Sequence, residues 1–354
     1  MPVRPRADRP RARPSPRPAE PAPRPDPPVS GAAPRFSVIV PSRGDPAKLG
    51  ALAEALARQT LPWERFEIIV ALDGVDVTPQ VRVRLNALAA RLVFLKQRSG
   101  PGAARNRAAE VARGEFLAFT EDDVSPEPDW LERAQARLDA DPTLDVLEGA
   151  TLKPGGRAVR VRAAAGPPWL AINLFVRRAL FERVGGYHES YFDAGSGLYF
   201  REDSDLGFAL EDAGARRAEA PDARVTHPDE HPRPLDALRW ARRYEMDALL
   251  AARHPRFFRD RIEVHQLGPF RIRRPIVRAS VAYVLCVVTA ALLVLFGRRG
   301  EAAIVLLLAA VAFVPVWAKW RCDPRRLLVT LVVPFVLVWA LARGAMRVRS
   351  GALR

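Results

Sequence analysis

The sequence predicts an α/β domain with a mixed, mostly parallel sheet, followed by C-terminal transmembrane helices. Two observations predict this fold class. Short apolar runs alternate with segments of helical periodicity from residue 35 to about residue 140, which is typical of a sheet covered by helices on both faces. The last quarter of the chain instead contains three long apolar stretches with basic residues around them.

The first part of the predicted domain contains three strands and two helices. The runs "RFSVIV", "FEIIVALDG" and "RLVFLKQ" are short, apolar and rich in β-branched residues, so they predict strands. The segment "PAKLGALAEALARQ" predicts a helix, because Leu49, Leu52 and Leu56 fall on one face. A second helix is predicted for "PQVRVRLNALAARL".

The next part repeats the alternation. "GAARNRAAEVARG" predicts a helix closed by Gly114, and "EFLAFTEDD" predicts a buried strand. "PDWLERAQARLDA" predicts a helix that begins near Pro128. Ligands of such sheets bind beyond the carboxyl ends of the strands, and three of these strands end in polar residues. The sequence therefore predicts a binding site at that edge.

Positive charge is concentrated at the two ends of the chain. The formal net charge is +15 over 354 residues, and residues 1–34 consist largely of Pro, Arg and Ala. They predict a disordered basic arm that either contacts acidic lipids or partners or stays solvated. A nucleic-acid binder would carry interleaved basic and aromatic residues on the folded domain, so we expect no nucleic-acid partner. Two cysteines, Cys286 and Cys322, provide neither a disulfide framework nor a zinc pattern.

The membrane region is predicted to begin at residue 266. Its apolar runs cover about residues 276–296, 302–318 and 327–342; the first is long enough to span a bilayer and the others are marginal. Three spans would place the Arg-rich tail outside, whereas two spans with an interfacial third helix would keep it inside. The N-terminus lacks the apolar core of a signal peptide. We therefore expect a multi-pass membrane protein whose soluble domain, residues 35–265, is cytoplasmic.

Three consecutive acids, Glu121, Asp122 and Asp123, follow the predicted strand "EFLAF". Adjacent carboxylates repel each other and lose hydration there, and a divalent cation relieves both costs. Few protein oxygen donors favour Mg²⁺ or Mn²⁺ shared with substrate phosphates. The alternative is that Asp122, Asp123 and Ser125 cap the following helix.

A second acidic cluster lies in "FREDSDLGFAL", which contains Glu202, Asp203 and Asp205. Helix capping explains one of these acids but not three. The preceding segment, "RRALFERVGGYHESYFDAGSGLYF", is rich in Gly and aromatic residues and is a reasonable wall for a sugar or lipid acceptor. A carboxylate in that wall would take a proton from a hydroxyl nucleophile.

Five motifs in order resemble those of the family 2 glycosyltransferases. They are "VIVPSRG", "VALDG", "GPGAARN", "FTEDDV" and "VGGYHESYF…REDSDLGFAL", and the resemblance covers about residues 36 to 265. It implies a GT-A fold, which is a Rossmann-like nucleotide-sugar-binding domain. It also implies an inverting transfer of a sugar from a nucleotide-sugar donor.

The resemblance assigns the donor side to several residues. Asp73 would bind the nucleobase, with Pro41 and Arg43 nearby on the first loop. Arg105 and Asn106 resemble donor-contacting residues at a helix start. The alternative for Arg105 is a solvated helix face.

The same resemblance makes "FTEDD" the acidic metal motif. Glu121 replaces its usual first Asp and is assigned to donor binding, Asp122 would approach the ribose or phosphate, and Asp123 would bind the metal. His227 stands where related enzymes often have a histidine near the metal or the diphosphate. The implied cofactor is Mg²⁺ or Mn²⁺.

The acceptor side is assigned in the same way. Asp203 matches the acid of the family's "ED" motif and would be the general base, while Glu202 would orient the loop. Gly185 and Gly186 resemble the acceptor-side turn. Trp240, in "DALRW", partly matches the QxxRW motif of polysaccharide synthases; its alternative role is packing at the membrane surface.

Taken together, these features lead us to expect an inverting, metal-dependent glycosyltransferase at the cytosolic membrane face. Its acceptor would be lipid-linked or a glycan, as in cell-envelope polysaccharide synthesis, and membrane lipids would be further partners. Two alternatives stay open: a transferase that loads polyprenyl phosphate, and a non-catalytic membrane-anchored nucleotide-binding module.

Overall fold

The computed structural model describes residues 33–155, 170–229, 233, 235–267, 270–319 and 326–353. Nearly all of the predicted N-terminal arm lies outside these ranges, as does Cys322.

The described residues form twelve strands, of which eight make one sheet. The eight are β1 (Phe36–Ser42), β2 (Phe66–Asp73), β3 (Arg91–Leu95), β4 (Phe116–Phe119), β5 (Ser125–Pro126), β6 (Val146–Leu152), β7 (Leu174–Arg177) and β10 (Arg217–Thr226). Two hairpins complete the set: β8 (Phe192–Asp193) with β9 (Leu198–Tyr199), and β11 (Val264–Leu267) with β12 (Phe270–Arg273).

Twelve α-helices connect or follow these strands in the described residues. Those of the soluble domain are α1 (Pro46–Ala57), α2 (Pro79–Ala87), α3 (Pro101–Ala109), α4 (Trp130–Ala140), α5 (Arg178–Arg183), α6 (Glu202–Asp212), α7 (Asp236–Arg242), α8 (Asp247–Arg253) and α9 (Pro255–Phe257). The C-terminal helices are α10 (Pro275–Leu295), α11 (Arg299–Lys319) and α12 (Leu327–Arg349). A 3₁₀ turn, Arg243–Met246, joins α7 to α8.

The strand order across the main sheet is β3-β2-β1-β4-β7-β6-β10-β5. The strands β1 to β4, β6 and β10 run in the same direction, whereas β7 is antiparallel to both neighbours and β5 is antiparallel to β10. The predicted mixed, mostly parallel sheet is confirmed. The carboxyl ends of six strands therefore meet at one edge, where the acids after β4 lie.

Two apolar layers cover the sheet, one on each face. One contains the side chains of α1, α2 and α4, including Leu49, Leu52 and Leu56, which are at most 2% exposed as predicted. The other contains side chains of α3, α5 and α6. The helix α4 begins at Trp130, close to the start that was expected near Pro128, and the preceding residues Ser125 and Pro126 pair with β10.

Asn173 fixes the antiparallel strand β7 in the sheet. Its buried side-chain oxygen accepts a hydrogen bond from the indole N–H of Trp130 at 2.8 Å. Its side-chain nitrogen donates to the carbonyls of Ala150 and Ala223 at 3.0 and 2.9 Å. One amide therefore connects β7 with β6, β10 and α4.

Each of the three C-terminal helices is long and apolar enough to cross a membrane. The second and third, with 21 and 23 residues, are longer than their predicted apolar runs. The helices α10 and α11 pack along each other after a turn at Gly297, which has a positive φ of 76°. The helix α12 packs on α10 and also on α7, α8 and the 3₁₀ turn of the soluble domain.

Candidate active site

At the carboxyl ends of β1 and β2, Asp122 and Asp73 accept hydrogen bonds from other residues of the chain. Ser42, the last residue of β1, donates its hydroxyl to Asp122. The carboxylate of Asp73, only 5% exposed, accepts the backbone N–H groups of Ser99 and Gly100 at 2.6 and 3.0 Å. Asp73 therefore orders the entry to α3 at the edge where it was predicted to bind a nucleobase.

Two further residues assigned to the donor lie on the first loop. Pro41 lies inside β1 and pairs with Ala71 of β2. Arg43 follows the strand and is exposed. Both are at the predicted edge of the sheet.

Glu121, Asp123 and His227 form a group that could hold a metal ion. Their ligand atoms lie within 4.8 Å of one another. His227 Nε2 is 3.7 Å from Glu121 and 3.8 Å from Asp123. The backbone N–H of His227 donates to Leu152 at 2.8 Å, because the chain continues the pairing of β10 with β6.

The two nitrogens of the His227 ring face different groups. Nδ1 lies 2.8 Å from the carbonyl of Pro228 and 3.4 Å from the ammonium of Lys153. Nε2 faces the carboxylates of Glu121 and Asp123. It is therefore the nitrogen that would bind a metal ion in this group.

Asp123 has one oxygen engaged and one free. Its Oδ2 accepts from the ammonium of Lys48 at 2.9 Å. Its Oδ1 is buried and has no hydrogen-bond partner among the described residues. A buried carboxylate oxygen without a partner is costly, and a cation bound there would remove that cost.

The capping alternative for these acids is wrong. The N-cap of α4 is Asp129, and Asp122 and Asp123 contact Ser42 and Lys48 instead. The structure also adds Glu121 to the expected ligands Asp123 and His227. The departure from the family motif thus lies at a residue that faces the candidate metal site.

Arg105 is buried between the two acidic clusters. Only 2% of the residue is exposed, which excludes a solvated helix face. Its guanidinium lies 3.6 Å from Glu121, 3.9 Å from Asp203 and 5.2 Å from the ring centroid of Tyr187. Burial alone would lower the pKa of Arg105, but the surrounding acidic groups raise it, so this cation stays charged.

The second acidic cluster begins α6. Burial raises the pKa of Glu202 to about 8, and repulsion from Asp203 adds to that rise. Burial likewise raises the pKa of Asp203, while Arg105 opposes the rise. One Asp203 oxygen is buried without a hydrogen-bond partner in the described part of the chain. A carboxylate with a raised pKa and a free oxygen has the properties of a general base.

Glu121 shares this environment. Burial raises its pKa to about 7, Arg105 opposes the rise, and the nearby Asp123 increases it. The carboxylates of Glu121, Asp123 and Asp203 thus repel each other, and Arg105 lies between the two acidic clusters. This arrangement favours a ligand that brings positive charge.

Asp205 has a structural role that differs from the expected helix capping. Burial alone would raise its pKa, but hydrogen bonds from His254, Arg253 and Tyr191 lower it. The distances are 3.1, 2.6 and 2.9 Å. Asp205 therefore connects α6 with α8 and with the loop before β8.

Asn106 and the glycine pair form one unit. The Asn106 side chain accepts from the backbone N–H of Tyr187 and donates to its carbonyl, both at 2.8 Å. Gly185 and Gly186 have positive φ angles of 84° and 67°. A Cβ on Gly186 would lie 2.7 Å from the Asn106 oxygen, so the turn requires glycine there.

Trp240 lies on α7 and is half-buried. Its neighbours on that helix, Ala237 and Ala241, face the apolar cluster formed with the C-terminal helices. The structure thus places Trp240 at the junction of the soluble domain and these helices.

Sequence reasoning missed two contacts at the site. Lys48 lies on α1, 75 residues before its partner Asp123, in an amphipathic segment that carries no motif. Arg201, just before Glu202, has a positive φ of 76° and a buried ion pair with Asp247 at 2.8 Å. No sequence signal marks a non-glycine residue with that backbone.

Comparison with known proteins agrees with this geometry. The profile described as "Glycosyl transferase family 2" matches residues 37–206. Residues 37–206 form a glycosyltransferase family 2 domain.

Two curated relatives are similar over part of their length. Glycosyltransferase AglE of Haloferax volcanii is 26% identical over 199 residues, which is 51% of this chain and 65% of AglE. The poly(ribitol-phosphate) beta-N-acetylglucosaminyltransferase TarS of Staphylococcus aureus is 35% identical over 108 residues, 30% of this chain and 19% of TarS. The matched region thus spans less than two thirds of either relative.

A solved structure extends the likeness to most of the chain. The mannosyltransferase PcManGT from Pyrobaculum calidifontis, in complex with GDP-Man and Mn²⁺, has a TM-score of 0.53 at 21% identity. The alignment covers 89% of this chain and 88% of PcManGT. At this identity the likeness supports the GT-A fold of the glycosyltransferase family 2 domain.

Proposed function

We propose that this protein is a membrane-attached, inverting glycosyltransferase that moves a sugar from a nucleotide-sugar donor to a hydroxyl acceptor. The observation that carries the proposal is the pair of acidic clusters that face each other across Arg105. One cluster, Glu121 and Asp123 with His227, has the composition of a metal site. The other presents Asp203 with a raised pKa and a free oxygen.

Individual residues of the chain would have the following roles in the transfer. Asp203 accepts the proton of the acceptor hydroxyl, whose oxygen attacks C1 of the donor sugar from the face opposite the nucleotide. The bond between C1 and the diphosphate breaks in this step, and the nucleoside diphosphate leaves. Arg105 keeps its charge and orients Asp203 and Glu121. Asn106 and Gly186 hold the turn that carries Tyr187 beside Arg105.

The residues present fit a divalent cation. Two carboxylates and an imidazole supply oxygen and nitrogen ligands, and the buried oxygen of Asp123, which has no hydrogen-bond partner among the described residues, is the observation that supports a cation there. Glu121, Asp123 and His227 would hold Mg²⁺ or Mn²⁺, which would neutralise charge on the donor diphosphate.

We also propose that the acceptor is lipid-linked and that the soluble domain faces the cytosol. The apolar hairpin α10–α11 begins directly after the soluble domain, so a lipid substrate in the same membrane is concentrated near the site. Donor binding would involve Pro41, Arg43, Asp73 and Asp122, which all lie at or next to the carboxyl edge of the sheet.

The test compares the full chain with Asp203→Asn in detergent or nanodiscs. Radiolabelled UDP- and GDP-sugars are supplied with Mn²⁺ and a polyprenyl-linked acceptor pool. We expect transfer by the wild type and a 10²- to 10⁴-fold loss of turnover in Asp203→Asn, the usual contribution of a general base. Donor binding, measured by thermal stabilisation, should be retained in the variant.

The matched control is Asp222→Asn, because the Asp222 side chain is 71% exposed and lies outside the acidic clusters. It should transfer sugar at the wild-type rate. Full turnover by Asp203→Asn would remove Asp203 from the mechanism, and a folded wild type that binds no nucleotide sugar with or without Mn²⁺ would refute the proposal.

A further inference from the structure

The ends of α11 and α12 both contact the soluble domain. Lys319, the last residue of α11, donates its ammonium to the hydroxyl of Tyr244 at 2.6 Å. Near the other end of α12, Arg343 donates to Glu245 at 2.8 Å, and Leu353 is buried with residues of α8. A single straight crossing would put the two ends of α12 on opposite sides of the membrane. In this structure α11 ends at the soluble domain, and α12, which begins eight positions later in the sequence, also finishes on it.

Glu245 is the centre of the contact between α12 and the domain. Its side chain is 4% exposed and accepts from both Arg343 and Arg347. The backbone of α12 approaches that of the 3₁₀ turn so closely that a Cβ added to Gly344 would lie only 2.1 Å from the carbonyl oxygen of Glu245. A buried carboxylate with two arginines from one helix fixes the register of that helix on the domain.

Two further contacts lead from this point to the acidic cluster of α6. Arg347 also lies 3.6 Å from Asp193 in β8, which belongs to the hairpin that precedes α6. Two residues after Glu245, Asp247 holds Arg201 in the buried ion pair described above. Arg201 directly precedes Glu202 and Asp203. The residue that binds α12, Glu245, and the residue that holds Arg201, Asp247, are therefore only two positions apart in the chain.

We propose that α12 is a docked helix on the same side of the membrane as the soluble domain, and that Glu245 and Arg347 are positioning residues for Asp203. The proposal rests on the function argued above for Asp203. The helix acts through the β8–β9 hairpin and the Asp247–Arg201 pair, and it touches no substrate itself. Undocking α12 would therefore loosen the segment that carries the base.

The location of α12 is tested by cysteine labelling of the full chain in oriented membranes. Cys286→Ala and Cys322→Ala remove the native thiols, and single cysteines are placed at the exposed positions Ala352 and Glu182. We expect an impermeant maleimide to label Ala352→Cys and Glu182→Cys from the same side. Labelling of Ala352→Cys from the opposite side would overturn the docked arrangement.

The positioning role is tested by hydrogen exchange on Arg347→Gln, with Arg349→Gln as matched control. Arg349 is on the same helix, and it is exposed. We expect amides of the segment 194–206 to exchange at least tenfold faster in Arg347→Gln and at the wild-type rate in Arg349→Gln. Equal exchange in both variants would refute the positioning role.

Activity supplies a further readout. Arg347→Gln should lower turnover about tenfold or more and leave donor affinity within twofold of the wild type, because α12 packs on α7, α8 and the 3₁₀ turn, whereas the donor-side residues lie at the carboxyl edge of the sheet. Glu245→Gln should lower turnover at least as much, because it removes the acceptor of both Arg343 and Arg347. The double variant Glu245→Gln/Arg347→Gln should lose little more than Glu245→Gln alone, because both substitutions break the same contact. Losses that simply add would contradict a role for the Glu245–Arg347 pair.

These measurements separate the two proposals. If no nucleotide sugar is turned over, the proposed function fails while labelling and exchange still report on α12. If transfer occurs but α12 lies across the membrane, only the positioning proposal fails.

Discussion

Arg105 is the residue around which the candidate site is organised. It is almost fully buried, and it lies within 4 Å of one carboxylate from each acidic cluster. Desolvation of a guanidinium is compensated only when acidic groups surround it. The burial of Arg105 therefore depends on Glu121 and Asp203. Arg105 in turn favours the charged form of both carboxylates.

Glu202 provides a pH test of this electrostatic arrangement. Its pKa is about 8 in the folded protein and about 4.3 in an unfolded chain. The folded state then binds a proton that the unfolded state has released, so stability is present at low pH and is lost as the pH rises toward 8. We expect Glu202→Gln to lack this loss of stability, which amounts to about 1.4 kcal/mol for each unit of difference between the folded and unfolded pKa values.

The measurement is urea unfolding of the metal-free proteins at pH 5 and pH 8.5. The wild type should lose more stability than Glu202→Gln over that interval. Glu110→Gln, which changes an exposed acid directly after α3, should follow the wild type. Identical pH profiles for wild type and Glu202→Gln would show that Glu202 titrates normally.

His227 provides a test of the metal group. It supplies one of three candidate ligands, so His227→Ala should weaken Mn²⁺ binding at least tenfold. Electron paramagnetic resonance of free Mn²⁺ measures this directly. His188→Ala is the control, because His188 is half-buried and lies outside the three-ligand group. Equal Mn²⁺ affinity in both variants would exclude His227 as a ligand.

At the scale of single residues, the sequence shows which residue types are present but not which of them lie close together in the fold. The acids after β4 stand out because they end an apolar run, but Glu121 and His227 are 106 positions apart and their proximity depends on β6 and β10. Likewise, the burial of Arg105 follows from the packing of α3 on β1 and β2, which an Ala-rich helix does not reveal.

Among the elements, the antiparallel strand β7 is connected to three neighbouring elements by the side chain of Asn173, which directly precedes it. Asn173→Ala would remove the hydrogen bonds that this side chain makes with the indole N–H of Trp130 and with the carbonyls of Ala150 and Ala223. Unsatisfied buried groups cost about 1–3 kcal/mol each, partly offset by relaxation. We expect a loss of about 2–4 kcal/mol in the free energy of unfolding.

Chemical denaturation of the purified protein checks this value. Asn86→Ala, on the exposed side of α2, is the control and should change stability by less than about 0.5 kcal/mol. A similarly small effect of Asn173→Ala would mean that the strand is held mainly by its ladder hydrogen bonds.

The early elements could be predicted because their periodicity is strong. The pattern at Leu49, Leu52 and Leu56 gives α1, and the apolar runs give β1, β2 and β4. The insertion of β7 between β4 and β6 could not be predicted, since a buried antiparallel strand has the same composition as a parallel one. The sequence left an interfacial third helix open as an alternative, but the contact of α12 with Glu245 could not be predicted, because this residue lies in a segment without a motif.

The whole molecule combines a compact soluble domain with an apolar hairpin. Large side chains of α10 and α11 are 49–70% exposed, namely Leu285, Leu292, Ile304, Leu307 and Val311. Exposed apolar surface of this extent fits a lipid environment. Attachment to the membrane should therefore be hydrophobic and not electrostatic.

Extraction of membranes provides the corresponding test. We expect the protein to stay in the pellet after washes with 1 M NaCl, which screens charge to about 3 Å, and with alkaline carbonate. A variant that lacks residues 1–30 should behave identically. Release of the full chain by salt alone would show that basic residues, and not the hairpin, attach it.

The acidic cleft also bears on the order in which substrates arrive. Five acidic side chains, at Glu121, Asp122, Asp123, Glu202 and Asp203, lie near the cations Lys48, Arg105 and Arg243. Of these acids, Glu202, with a pKa of about 8, keeps its proton at neutral pH. A bare diphosphate approaching this surface meets like charge, whereas its complex with a divalent ion carries less negative charge. We therefore expect the nucleotide to enter, and its spent form to depart, as an ion complex, so that the release of products slows when free divalent ions are scarce.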